Sequence, residues 1–270
     1  MGRSAAAGQD RAHGAAFGVG AMVGTLGGLI GLGGAEFRLP FLIGAFRFPA
    51  LEAVIINKAT SLVVVAAALP SRAAAVPFDA VVADWAVVAN LLAGSLLGAW
   101  LGAGWATHVS SRTLHRVIAG LLVAIAAVLL LGHGVTSTGQ PLLADTAQAT
   151  AGVLAGLAIG VVASLLGVAG GELLIPTLVL LFGADIKLAG SLSLAVSLPT
   201  MLVGFARYSR DQSFSVLARH RGFVLVMAAG SVLGTIVGGQ LLGLVPASIL
   251  LPMLAAILLV SAVRVWRHEP

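Results

Sequence analysis

The sequence contains no cysteine and few charged residues, and each absence excludes a class of protein. Without cysteine, disulfides, thiolate metal sites and any reaction that passes through a thiol are excluded. Charged residues make up only 9% of the 270 residues, whereas hydrophobic residues make up 59%. So little polar surface cannot cover a soluble globule of this length, so the composition predicts an integral membrane protein.

The sequence also lacks the motifs of several enzyme classes. It has no Walker, HExxH or GxSxG motif, and its six histidines form no pair with metal-ligand spacing on an apolar face. We therefore predict no metal, no cofactor and no use of ATP. The net charge of +5 is spread over short loops between apolar runs. This pattern predicts the lipid bilayer as the partner and argues against nucleic acid.

Eight apolar segments can be marked, and two of them are too long for one membrane span. As single helices, Ala15 to Phe48 and Ala147 to Gly183 would be on the order of 50 Å long, against a hydrocarbon core of about 30 Å. Each must therefore fold back on itself. The runs lack the short polar alternation of an outer-membrane barrel, so we expect an all-α bundle.

The two long segments carry the same motif. GLGGAEFRLPFLIGAF begins at Gly31, and GVAGGELLIPTLVLLF begins at Gly167, 136 residues later. The same offset relates GSLLGAWLG from Gly94 to GSVLGTIVG from Gly230. An internal repeat therefore fills the chain. The identical motif positions are Gly31, Gly34, Glu36, Pro40, Leu42 and Phe46, which recur as Gly167, Gly170, Glu172, Pro176, Leu178 and Phe182.

The basic residues predict how the halves are oriented. If both long segments are hairpins, eleven of the fifteen basic residues fall on the cytoplasmic side together with both termini. Arg112 and Arg210 are then cytoplasmic, whereas Asp145 is external. The first hairpin opens to the cytoplasm and the second to the outside, so we predict two inverted repeats, each a glycine-broken hairpin followed by three transmembrane helices. Inverted repeats with interrupted spans are typical of secondary transporters.

These features set the predicted boundaries. We expect a cytoplasmic tail over residues 1–14 and a first membrane repeat over 15–132. An external loop follows over 133–146, and a second membrane repeat covers 147–270. The sequence leaves open whether the protein forms a homo-oligomer.

The glycine turns and prolines resemble those of the TauE/SafE family of sulfite exporters. Repeats of this family open with a GxGG-type turn, a short apolar stretch and a proline. The matching residues are Gly31, Gly33, Gly34 and Pro40, then Gly167, Gly170, Gly171 and Pro176. The resemblance covers nearly the whole chain. It implies a bacterial inner-membrane protein that exports small organosulfur or carboxylate-type oxyanions such as sulfite, sulfonates or sulfoacetate. Glu36, Arg38 and Glu172 depart from the usual aliphatic run of the family.

The glycine turns are candidate substrate sites, because a broken helix leaves backbone N–H groups without partners. Glycine allows an anion to approach closely, and a helix that starts near Pro40 or Pro176 would point its positive dipole end at the anion. A packing turn covered by neighbouring helices is the alternative interpretation. The glycines assigned to substrate binding are Gly33, Gly34, Gly170 and Gly171.

Charged and polar side chains within the apolar runs form a second group of candidates. A cation such as Arg38 or Lys58 in lipid costs about 2.5 to 3.5 kcal/mol, so each must face a cavity or a partner. A structural ion pair with Glu36 is the alternative. Asn57 and Ser61 lie one turn apart on one helix face. The side chains assigned to oxyanion binding are Arg38, Asn57, Lys58 and Ser61, with Ser193 and Ser197 as the second-half equivalents of Asn57 and Ser61. The alternative is that the small polar residues serve helix packing.

Glu36 and Glu172 are the only titratable residues that both motif copies share. A carboxylate in the membrane interior takes up a proton unless a cation lies beside it. Glu36 is two residues from Arg38 and is expected to stay ionised, whereas Glu172 precedes aliphatic residues and is expected to carry a coupling proton. The alternative for Glu172 is a structural cap on its own hairpin.

The leading hypothesis is therefore a proton-coupled secondary transporter of small oxyanions. Two other classes stay open at this point. One is a membrane-embedded enzyme that uses Glu36 and Glu172 as acid and base, and the other is an anion channel.

Overall fold

A computed structural model describes residues 2–30, 34–75, 78–131, 143, 145–241 and 247–267. This part of the chain contains α-helices, one short 3₁₀ helix and no strand. Five of the helices, α3, α5, α7, α9 and α11, are long and apolar enough to cross a membrane. The prediction of an all-α membrane protein is confirmed. The helices are α1 (Gly2–Ile30), α2 (Ala35–Gly44), α3 (Ala50–Ala75), α4 (Phe78–Ala83), α5 (Trp85–Ala106), α6 (Ser111–Leu131), α7 (Asp145–Leu166), α8 (Gly171–Phe182), α9 (Ile186–Tyr208), α10 (Val216–Arg219), α11 (Arg221–Gln240) and α12 (Ala247–Arg267), with the 3₁₀ helix at Gln212–Ser215.

Each of the two long apolar segments is broken into two helices at its glycine turn. Gly34 precedes α2 with φ 66°, and Gly170 precedes α8 with φ 81°. This left-handed backbone is open to glycine at no steric cost, which explains why the breaks fall at these positions. Helix α1 begins at Gly2, within the residues expected to form a tail.

The two short helices do not start near the prolines, so that prediction is wrong. α2 begins at Ala35 and α8 at Gly171, which makes Pro40 and Pro176 the sixth residue of each helix. The first N–H groups of a helix have no intrahelical partner, so the helix can begin as soon as the chain leaves the glycine turn. Each proline then removes one main-chain hydrogen bond inside the helix.

The repeat seen in the sequence is also a repeat of helices. Four pairs of helices in the two halves start at positions 136 residues apart. The starting residues are Ala35 and Gly171, Ala50 and Ile186, Trp85 and Arg221, and Ser111 and Ala247. The halves therefore have the same order of long helices.

Glycines bring the first long helix of each half against a helix of the other half. A Cβ atom built on Gly24 of α1 would lie 2.2 Å from the carbonyl oxygen of Ser231 in α11. One built on Gly160 of α7 would lie 2.2 Å from the carbonyl oxygen of Ser95 in α5. Because these two contacts are equivalent at the repeat offset, the halves interlock through two matching interfaces.

The contact between α6 and α12 fixes their relative direction. These helices occupy equivalent positions in the two halves. Arg116, near the start of α6, lies over the ring of Trp266, near the end of α12, with 5.7 Å between the guanidinium carbon and the ring centroid. Because the two helices also pack extensively against each other, this contact makes them antiparallel.

Helix α2 lies at the centre of the largest apolar cluster, between α3 and α12. Eight of its ten residues are buried, and they include two charged side chains, Glu36 and Arg38. The fold thus brings charge into the middle of an apolar core.

Candidate functional site

The guanidinium of Arg38 is completely buried, and the protein holds it from one side only. Nη1 donates to Asn57 Oδ1 at 3.2 Å and to Ser61 Oγ at 3.3 Å. Nε and Nη2 have no hydrogen-bond partner. These two nitrogens share the edge of the planar group that binds a carboxylate or another oxyanion through two parallel bonds. The protein therefore holds one side of the Arg38 guanidinium, and the other side is available to bind a ligand.

Asn57 and Ser61 connect the two hairpins through α3. The amide Nδ2 of Asn57 donates to the carbonyl oxygen of Ala35 at 3.0 Å and to that of Leu166 at 2.8 Å. Ser61 Oγ lies 2.7 Å from the carbonyl oxygen of Asn57 and 3.3 Å from that of Gly167. Both amide hydrogens of Asn57 are thus used within the protein. The two side chains hold the hairpins together and position Arg38.

The two glutamates of the repeat lie close to each other. Glu36 is in the first turn of α2 and Glu172 in the first turn of α8. Their side chains are 1% and 4% exposed, and their carboxyl groups interact electrostatically. Neither carboxyl oxygen of Glu36 makes a hydrogen bond, and Oε2 of Glu172 makes none. The ion pair between Glu36 and Arg38 or Lys58 that the sequence left open is therefore not formed.

Lys58 faces the second half of the molecule. It is fully buried, and its Nζ has no hydrogen-bond partner. A Cβ atom built on Gly204 of α9 would lie 2.8 Å from Lys58 Nζ and 2.9 Å from Ser164 Oγ of α7. Gly204 therefore leaves the space that the ammonium group occupies. Lys58 and Ser61 are three residues apart on α3 and are therefore neighbours on the surface of that helix.

The second half contributes hydroxyl groups and no cation at the equivalent positions. Ser193 and Ser197 of α9 are 4% and 1% exposed. Ser193 Oγ donates to the carbonyl oxygen of Gly190 at 2.8 Å, within its own helix. The positions equivalent to Arg38 and Lys58 are Leu174 and Leu194. The charge of the site is therefore asymmetric although the backbone repeats.

Three of the four glycines assigned to the site lie within the described residues. Gly34 and Gly170 form the left-handed residues at the starts of α2 and α8, and Gly171 is the first residue of α8. Gly33 lies outside the described residues. The described glycines therefore place the first turns of α2 and α8, and with them Glu36 and Glu172.

Two residues near the site were missed by the sequence interpretation. Ser164 donates through Oγ to the carbonyl oxygen of Ala99 at 3.0 Å, and its own carbonyl oxygen accepts from Tyr208 at 2.9 Å. Gly204 shares the space beside Ser164 and Lys58. Both residues are small and lie in apolar runs rich in small residues, so no local signal separates them from ordinary packing positions.

The unpartnered charged atoms define what this site can do. Glu36, Arg38, Lys58 and Glu172 together present six buried nitrogen and oxygen atoms without a hydrogen-bond partner. Burial of a charged group without a partner is expensive, by several kcal/mol for each ion even after relaxation. A bound ligand or proton supplies the hydrogen-bond partners that these atoms lack. Arg38 and Lys58 suit an anion, and the two carboxyl groups suit a proton.

A cavity of about 550 Å³ adjoins the other end of α2. It lies between α2 and α12, next to the half of α2 that follows Pro40. The lining residues are Pro40, Phe41, Gly44, Ala45, Ala256, Ile257, Val260, Ser261 and Arg264. The cavity reaches the helix that carries Glu36 and Arg38, but these two residues do not line it.

Comparison with known proteins gives one match. The family model described as "Sulfite exporter TauE/SafE" matches residues 15–265, nearly the whole chain. No curated protein and no solved structure matches significantly.

Proposed function

The chain belongs to the sulfite exporter TauE/SafE family of membrane transporters, and from this premise we propose that it exports small organosulfur or carboxylate-type oxyanions, such as sulfite, sulfonates or sulfoacetate, by proton-coupled transport. Members of this family are transporters and not enzymes. We place the protein in the bacterial inner membrane with both termini in the cytoplasm.

One observation supports the oxyanion substrate most directly, namely the free edge of Arg38. Nε and Nη2 are buried, unpartnered and correctly spaced for two parallel bonds to a carboxylate, sulfite or sulfonate group. Asn57 and Ser61 fix the opposite side of the guanidinium, which reduces the entropy lost on binding. Lys58 of α3 adds a second buried positive charge.

Proton coupling is assigned to the carboxyl pair. Glu36 and Glu172 are buried beside each other, and two negative charges in a poorly solvated site repel strongly. A proton on Glu172 removes this repulsion, while Glu36 keeps its negative charge, which the nearby positive charge of Arg38 favours. Moving an anion and a proton together limits the net charge carried through the membrane interior.

An inverted relation between the repeats would provide alternating access. It is supported by the equivalent glycine interfaces and by the antiparallel pair of α6 and α12. We keep the repeat boundaries at 15–132 and 147–270, with 133–146 as an external loop. In this arrangement the cavity between α2 and α12 is the cytoplasmic access, and the equivalent helices α8 and α6 would form the external access.

The test compares two substitutions of Arg38 with one matched control. Binding of sulfite, sulfoacetate and lactate to purified protein is measured by calorimetry. Arg38→Lys keeps the charge but loses the bidentate edge, and Arg38→Met loses both. We expect each to weaken binding of the cognate anion more than tenfold, or about 1.4 kcal/mol. Arg210→Gln, which removes a cation that stacks on Trp100, should bind normally.

Folding of each variant is checked by its thermal midpoint and its elution volume. If both Arg38 variants fold and bind as tightly as the wild type, Arg38 is structural and the proposed site is wrong. Flux into sealed vesicles that saturates with substrate separates a transporter from a channel.

A further inference from the structure

A second cavity, of about 560 Å³, lies where α1, α10 and α11 meet. Four basic or titratable side chains line it: His13, Arg219, His220 and Arg221. It shares no residue with the site around Arg38. The cavity therefore requires an explanation of its own.

The basic side chains around this cavity are held in place by contacts with several elements. Arg219 forms an ion pair with Glu52 of α3. The ring of His220 packs edge-on against Phe48, with 5.2 Å between the ring centroids. A Cβ atom built on Gly222 would lie 3.2 Å from Nε2 of His13, so that ring lies directly over the start of α11.

Arg221 supplies the uncompensated charge of the cavity. It is exposed and forms no ion pair with any described residue, whereas Glu52 compensates Arg219. His13 and His220, which also line the cavity, add hydrogen-bonding nitrogens. This combination favours an anionic group that accepts several hydrogen bonds at once.

The cavity also has an apolar wall. Phe223 and Leu225 line it, and Leu225 is 66% exposed. Arg221 and Leu225 are one helical turn apart, so they share a face of α11. α11 is one of the helices long and apolar enough to cross a membrane, and it begins at Arg221. The basic part of the cavity thus passes directly into a surface that faces lipid.

We propose that this cavity binds the headgroup phosphate of an anionic phospholipid, with an acyl chain lying along α11 beside Leu225. A phosphate diester satisfies Arg221 and the two histidines, while free phosphate would leave the apolar wall uncovered. Basic pockets at the ends of membrane helices bind anionic lipid headgroups on the same physical basis. Through Arg219 and Glu52, the bound lipid would adjoin α3, the helix that carries Asn57 and Lys58.

The experiment is native mass spectrometry of the purified protein titrated with phosphatidylglycerol. Phosphatidylcholine, whose headgroup is zwitterionic, is titrated in parallel, and inorganic phosphate is added as a competitor. We expect phosphatidylglycerol to bind at least tenfold more tightly than phosphatidylcholine. Millimolar inorganic phosphate should not displace it.

Variants locate the bound lipid. Arg221→Gln alone, and together with His13→Gln, should lower the affinity for phosphatidylglycerol by tenfold or more. Arg210→Gln removes one exposed cation outside the cavity and should leave the affinity unchanged. Binding of the transported anion should be normal in all three variants, which separates this site from the one around Arg38. Unchanged lipid binding in Arg221→Gln, or displacement of the lipid by inorganic phosphate alone, would overturn the proposal.

Discussion

At the scale of single residues, burial alone did not reveal which polar groups are available to a ligand. Arg38 and Asn57 are both fully buried and lie within hydrogen-bonding distance of each other. Asn57 uses both amide hydrogens on backbone carbonyl groups, whereas Arg38 keeps two nitrogens free. Asn57 is therefore a positioning residue in this arrangement, and Arg38 is the group that we propose binds the substrate.

Glu172→Gln tests the proposed route of the proton. Glutamine keeps the shape and the hydrogen-bonding capacity of the side chain but cannot titrate, so substrate binding should be retained while flux loses its dependence on a pH gradient. The measurement is anion flux into proteoliposomes with and without an imposed gradient. Glu52→Gln, at a carboxylate outside the site, should behave as the wild type. An unchanged pH profile in Glu172→Gln would remove this residue from the coupling step.

At the scale of the helices, close packing depends on glycines that repeat every four residues. A Cβ atom built on Gly98 would lie 2.1 Å from the carbonyl oxygen of Leu157. One built on Gly234 would lie 2.1 Å from the carbonyl oxygen of Ala21. Such contacts are with backbone atoms, which cannot move aside as a flexible side chain can. Small residues therefore determine which helices pair, as is usual in membrane proteins.

Alanine substitutions at these glycines should destabilise the two matching interfaces equally. We expect Gly98→Ala and Gly234→Ala each to lower the free energy of unfolding by about 1 to 3 kcal/mol, the usual cost of overpacking. Gly120→Ala is the matched control, because a Cβ atom there meets nothing within 4 Å. It should be neutral or stabilising by about 0.5 to 1 kcal/mol. The variants are compared by thermal unfolding in detergent. Equal unfolding midpoints for Gly98→Ala and Gly120→Ala would contradict the predicted destabilisation.

At the scale of the whole molecule, the two halves share one backbone plan but carry different charges. Equivalent helices start at a constant offset, and α6 and α12 run antiparallel. Among the residues that the structure describes, the buried cations Arg38 and Lys58 nevertheless both come from the first half. In the proposed transporter, the repeated scaffold would provide the two access routes and a single set of charges would bind the substrate between them.

Single cysteines test the proposed inverted topology, since the natural chain contains none to interfere. Cysteine at position 112 or 210 should react with an impermeant thiol reagent only after the membrane is opened. Cysteine at position 145 should react from the outside of intact cells. These results follow from the hairpin arrangement and the distribution of basic residues. Labelling of position 112 in intact cells would exclude the inverted arrangement.

The sequence by itself determined the features that depend on local chemistry. Composition predicted a helical membrane protein, and the positions of the left-handed breaks followed from glycine, the residue best suited to that backbone. The repeat offset read from GLGGAEF and GVAGGEL is the offset between the helix starts. Arg38 and Lys58 were recognised as site candidates because charge is rare in apolar runs.

Only the tertiary structure decided how these groups are connected. The bond from Asn57 to Leu166 joins residues 109 positions apart, and the space for Lys58 is left by Gly204 of the other half. Helical periodicity places residues on a face of their own helix but does not specify what that face meets. The starts of α2 and α8 at Ala35 and Gly171 likewise depended on where the chain leaves each glycine turn. Hydrogen-bond partners across the fold therefore decided which polar groups stay free to bind a ligand.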